Sequence, residues 1–135
     1  MVRKEAVGLT LLRVFLGLTF FIHGFSKFQG GIANTVDFFD SLGIFGFAAY
    51  LVALIELFGG IAMVLGLGTR VFAGLFAIIM AVATLKVKLA VGFLGNGQMA
   101  GYELELALFV ISIYLALKNK SYWALENVLF RSNIS

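Results

Sequence analysis

The sequence predicts an all-α integral membrane protein, a four-helix transmembrane bundle with a short amphipathic or re-entrant segment between its first and second spans. Three observations predict it. Hydrophobic residues make up 61% of the chain and charged residues only 13%, where a soluble domain carries about 25% charged residues. Four apolar stretches, at residues 7–24, 46–67, 70–91 and 102–117, approach or reach the roughly 17–25 residues that a membrane-crossing helix needs. Fifteen phenylalanines and sixteen glycines suit close helix packing in lipid better than a soluble core. With 135 residues, the whole chain, 1–135, reads as a single transmembrane domain with no room for a separate soluble one.

The first span, 7–24, follows a short basic stretch and carries Arg13 in its interior. No A-x-A cleavage site follows it and apolar segments recur downstream, so it is expected to be a retained helix and not a signal peptide. Residues 28–45 connect it to the second span. Within them Val36, Phe39 and Leu42 fall on one side and Asp37 and Asp40 on another, as in an amphipathic helix at the membrane surface or tucked into it. Glu56 lies near the middle of the second span, and Lys86 and Lys88 close the third. A glycine-rich turn around Gly95-Asn96-Gly97 leads to the slightly short fourth span. In the polar tail, Tyr122, Trp123, Leu125 and Phe130 suit interfacial anchoring. No proline occurs, so any helix bend must come from glycine or from polar insertions. Small residues four apart, Ala62 with Gly66 and Ala77 with Ala81, allow close helix contact.

Several classes of function are excluded. The net charge is +3, but the basic residues are scattered and form no patch or stripe for nucleic acid. There is no cysteine and one histidine, so thiol redox chemistry and multi-histidine metal or haem sites have no ligands. No phosphate-binding glycine motif is present. A redox role would therefore require an organic cofactor or a partner protein.

Positive charge sets the expected topology. With the N-terminus inside, the inner face receives Arg3, Lys4, Arg70, Lys118, Lys120 and Arg131, and the outer face Lys27, Lys86 and Lys88. Six against three favours both termini inside.

The informative residues are the charges within the spans. Arg13 lies about 9 Å into its helix, and Glu56 lies near the bilayer centre, where a charge costs roughly 2.5–3.5 kcal/mol. Their depths suggest that Arg13 reaches Glu56. That pair reads either as a structural ion pair or as a site that orients a polar ligand group or relays a proton; a protonated, unpaired Glu56 is a third reading. Arg13, Gly17, Phe20, Gly24 and Lys27 share one stripe of the first helix, with His23 about 80° away. The glycines leave gaps for a neighbouring helix or a flat ligand. His23, Lys27, Lys86, Lys88, Glu103 and Glu105 fall at one level of the bundle. Glu103 and Glu105 are about 200° apart on a helix, so only one can face inward. His23, Lys27, Lys86 and Glu103 are the candidate ligand-binding residues, Arg13 and Glu56 the candidate catalytic ones. The competing reading is that the lysines reach to water and the glutamates favour a helix N-terminus. Arg70 and Gly60 read as structural.

These residues carry a resemblance. The stretch from Leu12-Arg13 to Phe20-Phe21-Ile22-His23-Gly24-Phe25-Ser26-Lys27 resembles the first helix of the DoxX family. Glu56-Leu57-Phe58-Gly59-Gly60, continuing to Gly66-Leu67-Gly68-Thr69-Arg70, is similar to its second-helix signature, and Gly101-Tyr102-Glu103 to the start of its fourth. The likeness covers about residues 9–117. Lys27-Phe28-Gln29-Gly30-Gly31 and Gly92-Phe93-Leu94-Gly95-Asn96 look most like the branch found beside catechol and quinone detoxification genes in bacilli. The resemblance implies a four-helix protein of the bacterial inner membrane, described as an oxidoreductase component. Its relatives include a small subunit of a thiosulfate:quinone oxidoreductase and chains associated with oxidative-stress enzymes. The family positions matched are Arg13, His23, Lys27, Glu56, Arg70 and Glu103. Ser41-Leu42-Gly43-Ile44 lacks the proline that family members often carry there, so the entry to helix two is expected to be less rigid.

The leading expectation is a membrane component of a quinone-linked redox or detoxification system, with a quinone as the implied cofactor or ligand and no metal. Its partners would be the lipid membrane and a soluble or membrane redox protein; small-residue faces leave room for a homo-oligomer without demanding one. A rival expectation is a non-catalytic membrane scaffold or assembly partner for a soluble enzyme. A small-solute carrier is a weaker third, since no inverted repeat or broken helix is evident.

Overall fold

The computed structural model describes residues 2–118 and Ala124. These form five α-helices: α1 (Val2–Gln29), α2 (Ile32–Ser41), α3 (Gly46–Leu65), α4 (Thr69–Ala83) and α5 (Glu103–Leu117). The interfacial anchoring expected of Tyr122, Trp123, Leu125 and Phe130 lies outside the described residues.

Helix α1 extends beyond the expected 7–24 at both ends and reaches Gln29. Nothing in its sequence breaks a helix, and its polar ends can lie in the headgroup region while the backbone stays hydrogen-bonded. It stops at Gly30-Gly31, where Gly31 takes a φ of 95°. The connecting segment is a helix, α2, whose Val36 lies over the start of α3. A Cβ at Gly46 would stand 2.6 Å from Val36 Cγ1, so the glycine lets α2 sit directly against α3.

Helix α3 closes with a Schellman motif. Gly66, at φ 82°, donates to Met63 O (3.1 Å), and Leu67 N donates to Ala62 O (2.7 Å). Thus Gly66, read from sequence as part of a small-residue contact, ends the helix. The third span is not uniform. It is α-helical to Ala83, continues as a π-helical turn at Thr84–Lys88, and tightens to a 3-10 turn at Leu89–Val91. Three described helices are long and apolar enough to cross a membrane: Arg3–Gln29, Gly46–Leu65 and Thr69–Val91. Helix α5, at 15 residues, is shorter.

Helix α1 packs antiparallel on α3, and α4 on α5. The first pair meets through small residues. A Cβ on Gly60 would stand 2.5 Å from Phe21 N and 2.6 Å from Gly17 O, and one on Gly24 would stand 2.5 Å from Leu57 N. The gaps at Gly17 and Gly24 are thus filled by a neighbouring helix. The core joins the two pairs: Phe20 and Phe76 stack with centroids 3.9 Å apart, among buried Leu16, Met63, Leu108 and Leu115. Large apolar side chains such as Phe47 and Ile78 point outward, as expected where lipid is the solvent.

Candidate functional site

A cavity of about 600 Å³ opens at the end of the bundle where α1 finishes and α3 begins. Its walls come from α1, α2, the first half of α3, and the end of α4 with its π turn; Glu105 enters from α5. The lining is mostly apolar, including Phe38, Phe39, Val52 and Ile79. Two ion pairs interrupt it.

The first pair is Lys27 Nζ with Glu56 Oε1, 2.6 Å apart. Helix α3 carries Glu56 eleven residues into a 20-residue helix, so its carboxylate is fixed near mid-span. Its side chain is 2% exposed, while that of Lys27 is 24% exposed. Lys27 lies in the last turn of α1, and its long stem brings the ammonium back to the glutamate while leaving part of the side chain exposed.

The expected Arg13–Glu56 contact is not formed. The antiparallel crossing sets Gly17 against Gly60 and Gly24 against Ala53 and Leu57. This register places Arg13 level with Met63 and Val64, about two helical turns from Glu56. There Arg13 Nε donates to Met63 O (3.0 Å) and its guanidinium to Val64 O (3.4 Å). It thus supplies donors to carbonyls in the last turn of α3, where a cation is also favoured by the helix dipole. Arg70 does the same for α5, donating through Nε to Ala116 O (3.1 Å). Arg13→Ala is expected to lower stability by about 1.5–3 kcal/mol, the range for hydrogen bonds to a charged group. Thermal unfolding of the detergent-solubilised protein measures it; an unchanged midpoint would remove the helix-end role.

The second pair joins Lys88 Nζ to Glu105 Oε2 at 3.3 Å. Lys88 also donates to the carbonyls of Ala100 (3.1 Å) and Gly101 (3.4 Å), tying the π turn to the entry of α5. Glu105 Oε1 is buried and accepts no hydrogen bond. The inward glutamate is therefore Glu105. Glu103, the expected ligand contact, is exposed and lies outside the cavity lining. The sequence shows that only one of the two can face inward; the choice depends on the rotation of α5 against α4, which the spacing alone does not encode.

The structure places His23 and Lys86 in the cavity lining. Asn34 and Thr35, supplied by α2, were not among the expected contacts. The amphipathic pattern of α2 sets Val36, Phe39 and Leu42 apart from Asp37 and Asp40 and carries no signal for Asn34 and Thr35. Gly60 lies at the α1–α3 crossing, against the backbone of Gly17 and Phe21.

The DoxX family model matches residues 8–89, which contain Arg13, His23, Lys27, Glu56 and Lys86. The chain belongs to the DoxX family. This DoxX chain is 42% identical over 125 residues to the Bacillus subtilis (strain 168) protein named "Putative oxidoreductase CatD", covering 93% of this chain and 89% of that one. It is also 34% identical over 73 residues to the Escherichia coli (strain K12) protein named "Inner membrane protein YqjF", covering 54% of this chain and 55% of that one. No solved structure matches significantly. The crossing-length helices and the family together make this DoxX chain a multi-pass membrane protein.

Proposed function

We propose that this DoxX chain is a membrane component of a quinone-linked oxidoreductase or detoxification system, and that its cavity holds a quinone-like aromatic ring. One observation carries the reading: an apolar cavity of about 600 Å³ contains a buried carboxylate–ammonium pair, Glu56 with Lys27. Ligand sites typically have this composition, apolar walls with a few fixed polar groups, in a volume of about 300–1,000 Å³. Lys27 donates toward a ring oxygen, Glu56 orients it or exchanges its proton, and His23 adds a second polar contact. Arg13 acts through α3, the helix that carries Glu56. Phe38, Ile78 and Val82 line the cavity and are also exposed, which suits entry of a lipid-soluble ring from the bilayer. The name carried by the Bacillus subtilis relative supports the redox assignment.

The same reading takes α5 as a fourth crossing in a bacterial inner membrane, with both termini inside. Lys118, just after α5, lies 3.9 Å from Glu5 near the start of α1, which supports an even number of crossings. The distribution of positive charge supports its direction.

The test is titration of a menaquinone analogue into the detergent-purified protein by calorimetry, wild type beside Glu56→Gln. Saturable binding by the wild type and a loss of at least about tenfold in a folded Glu56→Gln protein are expected. A well-folded wild type that does not bind would overturn the proposal and favour a membrane scaffold for a soluble enzyme.

A further inference from the structure

We infer that the ring accepted by the cavity is an acidic aromatic, anionic at neutral pH, such as a hydroxyquinone, and that Lys86 and His23 meet its negative charge. The inference rests on the quinone-type reading above and narrows it to a ligand class.

Three lysines and two glutamates line the cavity. Both carboxylates are already engaged, Glu56 by Lys27 at 2.6 Å and Glu105 by Lys88 at 3.3 Å. That leaves one ammonium, Lys86, on the π turn. Among the described residues, Lys86 makes no ion pair or hydrogen bond, and the His23 imidazole makes no hydrogen bond. His23 lies within electrostatic reach of Glu56 and remains available to donate. The two groups stand on different elements, α1 and the turn after α4, and line one concave, mostly apolar space. A neutral quinone would need a hydrogen-bond donor and would leave the surplus charge unmatched. An anion matches it. A hydroxyquinone is a vinylogous acid whose charge is shared between two oxygens of a flat ring. It therefore presents an anion at its edge while its faces pack on apolar walls such as Phe38 and Phe39.

The test compares two naphthoquinones of the same ring system, lawsone (acidic hydroxyl) and its methyl ether (no acidic proton), on the full chain in detergent at neutral pH. The wild type is expected to bind lawsone about tenfold more tightly, the scale of one hydrogen bond to a charged group. Lys86→Gln should erase that preference, weakening lawsone about tenfold and the methyl ether by much less. Lys86 is exposed and makes no ion pair or hydrogen bond among the described residues, so this substitution removes no such contact within the fold. His23→Gln should reduce the preference. Equal affinity of the wild type for the two compounds would overturn this inference alone. So would a preference that survives both substitutions. Binding of neither compound would overturn the quinone-type reading with it.

Discussion

Lys27→Met is expected to destabilise the protein by about 3–5 kcal/mol, the range for stranding one member of a buried ion pair. The effect should be asymmetric. Losing Lys27 leaves the Glu56 carboxylate, 2% exposed, in a site where no other cation among the described residues lies within ion-pair distance. Glu56→Gln instead leaves Lys27, whose side chain is 24% exposed and can turn its ammonium toward polar surroundings. Glu56→Gln should therefore cost about 1 kcal/mol, the scale of one hydrogen bond, and serve as the folded variant for ligand titration. The double variant Lys27→Met with Glu56→Leu should recover most of the loss, because an apolar pair strands no charge. Thermal unfolding in one detergent measures all three. Equal losses for the two single variants would show that the pair is not set by the burial of Glu56.

Gly60→Leu is expected to prevent assembly of the bundle. Even the Cβ of alanine at this position would stand 2.5 Å from Phe21 N and 2.6 Å from Gly17 O. Both are backbone atoms of α1 and can yield only if the helices part. Gly60→Ala should cost about 1–3 kcal/mol, the range for overpacking a tight interior. Gly74 provides the contrast: a Cβ there meets nothing within 4 Å. Gly74→Ala should stabilise α4 by about 0.5–1 kcal/mol through the lower backbone entropy of alanine. Size-exclusion profiles and unfolding midpoints of the three variants decide the matter. A monodisperse, wild-type-like Gly60→Leu protein would contradict the close α1–α3 crossing.

Much of the helical layout was legible because membrane length and apolar composition constrain it strongly. The ends were less so. Arg3, Lys4 and Lys27 read as the flanks of a span, yet the helix runs through them because a charged side chain can leave the hydrocarbon without breaking backbone hydrogen bonds. The π turn at the end of the third span had no sequence signal distinct from an ordinary helix. For the site, residue type was informative and pairing was not. Glu56 stood out as a mid-span carboxylate, but its partner followed from the crossing register, and that register depends on which small residues meet. Gly17, Gly24, Ala53 and Gly60 are visible in the sequence; their mutual contact is a tertiary fact. The same holds for Glu105 over Glu103, where one rotation of α5 decides between two equally charged residues.

The stacked rings of Phe20 and Phe76 have a consequence for the cavity beside them. They sit in one core with Leu16, Met63 and Leu115, and the same core takes in Met80, which lines the cavity. Cavity and core are thus neighbours that share Met80. Loosening the ring stack would therefore loosen a wall of the cavity, so the shape of the site is tied to the packing that joins the two helix pairs.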